Sequence, residues 1–287
     1  MTIAVSLKVN DGVVLAADSA STMTVDGGDV INVYNNANKV FNLYKGLPIG
    51  LATWGLGALG GLSISILAKD LRRRFSGDDP NHADWKIDPE NYELADVAAR
   101  VADFFYDEHY QPAVEATTGE EPGEPPTGMG FFIAGYSSAN HHPEEFILEL
   151  SPAGSDGPRP MGEIGGHGVA WSGQIDAINR LVNGYSTGLG DVLIDDFGLD
   201  PDDLTTALET VGGRLGAPLV VPGMPFQDAI DLAEWLVSVA IGYARFMPGW
   251  PNVGGPIETA AISKHEGFKW IRRKHYYEAR LNPPEAK

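Results

Sequence analysis

A β-hairpin predicted at the start of the chain restricts the fold more than any other feature of the sequence. Apolar residues dominate 3–9 and 13–17, and Asn10, Asp11 and Gly12 separate the two stretches. An Asp-Gly pair between two such stretches is a strong signal for a hairpin turn. The chain therefore begins with antiparallel strands, and not with the parallel strand-helix-strand unit of a dinucleotide-binding fold.

The rest of the sequence predicts a mixed order of strands and helices. The patterns indicate strands at 38–43, 49–53, 130–136, 145–150, 257–263 and 268–272, a polar loop at 22–32, and helices at 56–75, 92–110, 174–182, 200–209 and 227–246. This order fits an α+β fold in which two antiparallel sheets lie between helical layers. We expect a single domain over residues 1–287, with an insertion at 183–224 and a flexible loop at 116–127.

Composition and charge exclude several classes of function. The chain of 287 residues carries a net charge of -19, which disfavours a nucleic acid partner. It contains no cysteine, so disulfides, thiolate zinc sites and thiol chemistry are ruled out. The N-terminus lacks the pattern of a signal peptide, so we expect a cytoplasmic protein. The uncharged run at 46–68 contains Pro48 and several glycines, so we expect no membrane span.

Two short motifs point to other enzyme classes. Residues 55–60 match the glycine pattern of a dinucleotide site, but several antiparallel strands precede them and no acidic residue ends a strand about twenty residues later. Residues 184–188 match the nucleophile elbow of serine hydrolases, but a helical stretch precedes them where a strand is required. We therefore expect neither a dinucleotide site nor a serine nucleophile.

The histidines do not form a metal-binding pattern. None has a partner at the helical spacing that metal ligands on one helix require, and His141 and His142 fall in a predicted turn. We expect no metal and no cofactor. His167, which lies between Gly166 and Gly168, is the one histidine that we consider separately below.

The strongest constellation combines Thr2, Asp18 and Lys39. If Met1 is removed, Thr2 carries both a hydroxyl nucleophile and an α-amine, whose pKa of roughly 7.7 to 8 lets it act as a base. Lys39, at the start of a predicted strand, could lower the pKa of that amine, and Asp18, at the end of the second strand, could position Lys39. Each residue also has an ordinary structural interpretation, Asp18 as a strand-end cap and Lys39 as a sheet-edge charge.

These residues lie in sequences that resemble a known family. Thr2 to Ser19, then Asn38 to Phe41 and Ala52 to Gly55, resemble the N-terminal half of proteasome β-type subunits and of the bacterial HslV-type peptidase. The resemblance is dense from residue 2 to about 75 and returns in outline at Gly254 to Ile257. It implies an N-terminal-nucleophile hydrolase with a four-layer αββα sandwich, assembled as stacked homo-oligomeric rings, in which an ATPase unfoldase is a possible partner.

The resemblance also implies roles for individual residues. Thr2 would be the nucleophile, Asp18 and Lys39 its supporting acid and lysine, and the Gly55 backbone N–H the oxyanion donor. A peptide or unfolded protein would bind as an added strand. The substrate pocket would be lined by Ser21, Ala37, Phe41, Thr53 and Gly57. Because these positions are mostly neutral, we expect no preference for charged side chains.

The sequence departs from the family in the groups that assist the N-terminal amine. The family has Gly-Ser-Gly before its third helix and Asp followed by Ser-Gly-Gly after its last long helix, whereas this chain has Gly165 to Gly168 and Trp250 to Gly255. His167 or Asn252 could replace the missing groups. We expect a threonine-type peptidase. A small-molecule amidase of the same class and a non-catalytic scaffold subunit remain alternatives.

Overall fold

The computed structural model describes residues 2–24, 30–117 and 127–274. Most of the loop expected at 116–127 lies outside these residues. Helices and antiparallel sheets alternate along the described chain, so the predicted α+β class is confirmed.

Two five-stranded antiparallel sheets form the centre of the structure. The first has the order β12-β1-β2-β13-β14 and the second the order β11-β10-β9-β6-β5, while β3 pairs with β4 and β7 with β8. The strands are β1 (Ile3–Val9), β2 (Gly12–Ala17), β3 (Ser21–Thr24), β4 (Val30–Tyr34), β5 (Val40–Asn42), β6 (Ile49–Trp54), β7 (Ala58–Leu59), β8 (Leu62–Ser63), β9 (Met129–Gly135), β10 (Glu144–Leu150), β11 (Arg159–Pro160), β12 (Gly168–Gly173), β13 (Glu258–Ser263) and β14 (Gly267–Arg272). The predicted hairpin is β1–β2, in which Val9 is opposite Gly12.

The helices are distributed on either side of the sheets. They are α1 (Ile64–Ser76), α2 (Leu94–Ala102), α3 (Gln111–Ala116), α4 (Asp176–Val182), α5 (Leu189–Asp191), α6 (Leu204–Leu215) and α7 (Phe226–Phe246). A π-helical stretch, Asp103–Tyr110, joins α2 to α3, and a second one, Val192–Asp196, follows α5. Short 3-10 turns cover Pro80–Trp85 and Pro201–Asp203.

Three apolar clusters show how these elements pack. In β1, Ala4 belongs to a cluster shared with β6 and β9, so this cluster lies between the two sheets. Alternate residues of β1, such as Val5 and Leu7, pack instead with Ala233 and other residues of α7. The third cluster joins the opposite side of the second sheet to α1 and α2. Strand periodicity places successive side chains on opposite faces, which explains this division.

The predicted helix at 56–75 is wrong in its first part. Residues 58–63 form the small β7–β8 hairpin, whose turn glycines Gly60 and Gly61 have φ values of 54° and 80°. The helix begins only at Ile64, where the Ser63 hydroxyl accepts a hydrogen bond from the Ile66 N–H. It ends at Ser76, and the left-handed conformation of Gly77 after it is typical of a helix C-terminus. The motif at 55–60 therefore does not open a helix, and the context of a dinucleotide site is absent.

Other differences concern short elements. The loop predicted at 22–32 contains strands β3 and β4 on either side of residues 25–29, which lie outside the described residues. The helix predicted at 200–209 begins as a 3-10 turn and continues as α6 to Leu215. Strand β12, at the edge of the first sheet, was not predicted at all. Within the described residues, no helix is both long and apolar enough to cross a membrane.

Candidate active site

A cavity of about 760 Å³ opens beside Thr2, immediately before β1. Thr2, Lys39 and Gly55 line it together, although the strands that they adjoin, β1, β5 and β6, belong to two different sheets. Thr2 is only 3% exposed, so its side chain is accessible chiefly through this cavity. Asp18 is fully buried behind the wall of the cavity.

Asp18 is the centre of the hydrogen bonding around the cavity. Its Oδ1 accepts from Lys39 Nζ at 2.7 Å and from the Ile3 N–H at 3.1 Å. Its Oδ2 accepts from the N–H groups of Ala20 and Gly254, both at 2.9 Å. One carboxylate oxygen thus joins the Lys39 ammonium to the amide that follows Thr2. Asp18 thereby fixes the lysine and the start of β1 relative to each other.

Burial dominates the electrostatics of Lys39. Removal from water lowers the pKa of Lys39, because desolvation disfavours the ammonium form; the contact with Asp18 opposes this effect and the positive charge of Lys274 adds to it. A cation beside the start of β1 also favours the neutral form of any amine nearby. The arrangement therefore suits an α-amine at Thr2 that acts as a proton acceptor.

The unpredicted strand β12 holds the Thr2 backbone. Ile3 pairs with Gly173, and the N–H of Gln174 donates to the Thr2 carbonyl oxygen at 2.7 Å. Gly173 has a φ of 100°, and a Cβ at this position would lie 1.9 Å from the same carbonyl oxygen. Only glycine allows the end of β12 to approach Thr2 this closely.

We expect Gly173→Ala to displace Thr2 and to inactivate the site. A left-handed φ costs a non-glycine residue about 1–3 kcal/mol, and the clash with the Thr2 carbonyl adds to that cost. Gly46→Ala is a matched control, because Gly46 has a φ of 98° but a Cβ there would meet no atom within 4 Å. Urea unfolding and peptide turnover should show a stability loss in both variants and a loss of activity only in Gly173→Ala. Equal activity in the two variants would contradict the positioning role.

Gly55 also depends on the absence of a side chain. Its φ is 86°, and a Cβ there would lie 2.5 Å from the carbonyl oxygen of Gly128 and 2.6 Å from the Cα of Met129. The chain leaves β6 at this point and turns along the cavity wall. Backbone in such a turn can present an N–H group to a bound molecule at close range.

Four of the five predicted pocket residues line the same cavity as Thr2. Ser21, Ala37, Thr53 and Gly57 are among its lining residues. Phe41 is not: it is buried in the cluster between the second sheet and α1, and it borders a smaller neighbouring cavity of about 70 Å³.

A lysine-carboxylate pair at the site was not predicted from the sequence. Lys274 lines the cavity, donates to the hydroxyl of Ser19 at 2.5 Å and to the carbonyl of Ala37, and lies 3.5 Å from Glu258. The buried Glu258 also accepts from the Lys39 N–H at 3.1 Å. Burial lowers the pKa of Lys274, and Glu258 partly offsets this effect. A second lysine-carboxylate pair thus lies beside the first.

The two suggested replacements for the family's missing groups lie in different places. Asn252 Oδ1 accepts from Gln174 Nε2 at 3.4 Å, and the backbone of Gln174 bonds Thr2, so Asn252 is next to the Thr2 support. His167 instead borders a separate cavity of about 150 Å³ with Lys8 and Glu145. The structure therefore brings Asn252, but not His167, to this region.

The other motifs contribute no second site. Ser186 lies between α4 and α5 and donates to Asp176 at 3.0 Å, so its surroundings are those of a helix connection. Among the residues that the structure describes, no three or more histidine, aspartate or glutamate side chains come together in a way that could hold a metal ion.

Comparisons with known proteins relate the fold, but not the sequence, to other proteins. No family model matches the sequence. No curated protein matches it either. The structure is similar to that of a mutant of Anbu from Hyphomicrobium sp. strain MC1, with a TM-score of 0.53 and 15% identity over 96% of this chain and 86% of that chain. The likeness concerns the fold alone.

Proposed function

We propose that this protein is a threonine-type endopeptidase of the proteasome-like class, with Thr2 as its N-terminal nucleophile. The observation that carries the proposal is the shared cavity of Thr2, Lys39 and Gly55, together with the bonds from Asp18 to Lys39 and to the amide after Thr2. The fold likeness to Anbu agrees with it. Two sheets packed face to face, with helices on their outer faces, agree with a four-layer αββα sandwich.

In this proposal, the reaction proceeds by acyl transfer. After removal of Met1, the α-amine of Thr2 takes the proton of the Thr2 hydroxyl, directly or through water, while Oγ1 attacks the peptide carbonyl. The Gly55 N–H stabilises the resulting oxyanion. Collapse of the intermediate breaks the C–N bond, the leaving amine receives the proton, and an ester to Thr2 remains. Water then hydrolyses the ester and restores the free hydroxyl. Lys39, held by Asp18, keeps the amine neutral enough to accept the proton.

We further propose one domain over residues 1–287 with an insertion at 183–224, and assembly into a homo-oligomer. Large apolar side chains are exposed at and after the end of α7, where Phe246 is 82% and Trp250 65% exposed. Clusters of exposed apolar residues are typical of interfaces. Analytical ultracentrifugation tests the assembly, since a monomer at micromolar concentration would contradict it.

Covalent labelling tests the nucleophile. Intact mass spectrometry of the purified protein should show that Met1 is absent, and a peptide epoxyketone should add once, because this reagent requires a hydroxyl and an α-amine on the same residue. Fluorogenic peptides should be cleaved by the same preparation. An active preparation that retains Met1 would rule out the free-amine mechanism.

The outcomes separate the competing functions. Labelling without cleavage of any peptide would favour an amidase that acts on small molecules. The absence of both labelling and cleavage, in a protein that assembles normally, would favour a scaffold subunit. Labelling and cleavage that both disappear in Thr2→Ala would establish the peptidase.

A further inference from the structure

The charged residues that line the active-site cavity all carry the same sign. They are Lys39, Lys69, Arg273 and Lys274, and no aspartate or glutamate is found among the described lining residues. The chain as a whole has 39 acidic and 20 basic residues, so a cavity with only cations is the opposite of what its composition favours. The positive potential is therefore concentrated at the cavity.

Two of these cations are already paired. Lys39 is bonded to Asp18, and Lys274 lies beside Glu258. The other two differ: within the described part of the chain, neither Lys69 nor Arg273 has a carboxylate within ion-pair distance. Arg273 contacts the ring of Trp270, at 4.8 Å from its guanidinium carbon to the ring centroid. Lys69 and Arg273 therefore have charge available for a bound molecule.

A third cation extends the same wall. Arg72 lies one turn after Lys69 on α1 and borders the small adjoining cavity, as do Lys69 and Arg273. Glu258 borders it too, but its carboxylate already pairs with Lys274. Burial lowers the pKa of Arg72, and the nearby positive charge of Arg273 lowers it further. Like charges this close repel each other, and an anion bound between them would relieve the repulsion.

We propose that Lys69, Arg72 and Arg273 form a subsite that binds an acidic side chain of the peptide substrate. The inference rests on the peptidase function proposed above. Guanidinium groups bind carboxylates through paired hydrogen bonds, so Arg273 and Arg72 suit a glutamate or aspartate side chain. The subsite is formed by α1 and the residue after β14, whereas the neutral positions Ser21 and Gly57 belong to other segments of the cavity lining. The proposal differs from the expectation, based on the neutral positions alone, that charged side chains are not preferred.

Paired peptides test the subsite. The substrates are pairs of short fluorogenic alanine peptides. In each pair, one position before the cleaved bond is Glu in one peptide and Gln in the other, so the two peptides differ by one charge. At one position or more, the Glu peptide should have a kcat/KM about tenfold above that of its Gln partner. The ratio should fall at about 1 M salt, where the Debye length is about 3 Å.

Substitutions assign the effect to the proposed residues. Lys69→Gln and Arg273→Gln should each move the ratio of kcat/KM for the Glu peptide to kcat/KM for the Gln peptide towards one. Both side chains are exposed, so neither change disturbs the core. Lys45→Gln is the matched control: Lys45 is also an exposed lysine, but it lies in the turn between β5 and β6 and does not line the cavity. The ratio in Lys45→Gln should equal that of the unchanged protein.

Direct binding separates failure of this inference from failure of the proposed function. Fluorescence anisotropy with labelled Glu and Gln peptides on the Thr2→Ala variant measures recognition without turnover. Tighter binding of the Glu peptide that depends on Lys69 and Arg273 would support the subsite even if no peptide were cleaved. Equal binding and equal cleavage of the Glu and Gln peptides would overturn the subsite and leave the peptidase in place. The subsite would also be overturned if Lys69→Gln and Arg273→Gln left the ratio of kcat/KM for the Glu and Gln peptides unchanged.

Discussion

Thr2→Ala should lower kcat/KM for fluorogenic peptides by at least about a thousandfold, because loss of the nucleophile removes the covalent route entirely. Epoxyketone labelling should disappear at the same time. The side chain is small and lies at the edge of the cavity, so the thermal midpoint should change by only a few degrees. Thermal unfolding, monitored by circular dichroism, checks that the loss of activity is not caused by a loss of folded protein.

Thr2→Ser is the conservative control for this experiment. Serine keeps the hydroxyl and the α-amine, and the variant should retain measurable turnover and labelling. Intact mass of all three proteins verifies that Met1 is removed from each. If Thr2→Ala turned over peptides as fast as the unchanged protein, the assignment of Thr2 would be refuted. The activity must co-elute with the protein during purification, so that a contaminating peptidase is ruled out.

Asp18→Asn should cause the largest loss of stability among single substitutions at the site. Each oxygen of the buried carboxylate accepts two hydrogen bonds. Oδ1 accepts from Ile3 and Lys39, and Oδ2 accepts from Ala20 and Gly254. An amide NH₂ group in either position would face two donors, and Lys39 would lose its counter-charge. We expect the free energy of unfolding to fall by about 3–5 kcal/mol, as for other broken buried pairs. Urea unfolding measures the change.

Two variants show whether this loss comes from the unpaired donors. Lys39→Met should cost less than Asp18→Asn, because Asp18 keeps three backbone N–H donors when the lysine is gone. Asp78→Asn is the surface control, since Asp78 is exposed and its side chain makes no hydrogen bond within the described residues. Its effect should stay within about 0.5 kcal/mol. A larger loss in Lys39→Met than in Asp18→Asn would show that the carboxylate does not organise this network.

Local patterns were sufficient to predict the hairpin, most of the strands and the helix that became α7. Thr2 and Lys39 could be singled out because their chemistry suits an N-terminal nucleophile and each adjoins a predicted strand, whereas Gly55 was singled out only by the resemblance to proteasome β-type subunits. The start of α1 was misplaced because apolar residues continue through Gly60 and Gly61, which hides the tight β7–β8 turn. Ser63, a good N-cap residue, was the signal that could have placed it correctly.

The unpredicted parts of the site depend on contacts between distant segments. Strand β12 is short and follows a glycine-rich stretch, so the alternation of Val169 and Trp171 with smaller residues was too brief to stand out. Nothing local to Lys274 indicates that it reaches Ser19, which lies 255 positions away along the chain. The charge of the cavity likewise arises only when α1 and the end of β14 are brought together.

The hydrogen bond between Ser19 and Lys274 has a consequence for biosynthesis. Residues 255 positions apart along the chain must meet before the surroundings of Thr2 are complete, and strands β13 and β14 are translated after all the other strands that the structure describes. A nascent chain on the ribosome therefore carries Thr2 without its finished surroundings until Lys274 has been translated. For the peptidase proposed above, delayed assembly of this kind would postpone cleavage of other proteins until β13, β14 and Lys274 have joined the fold.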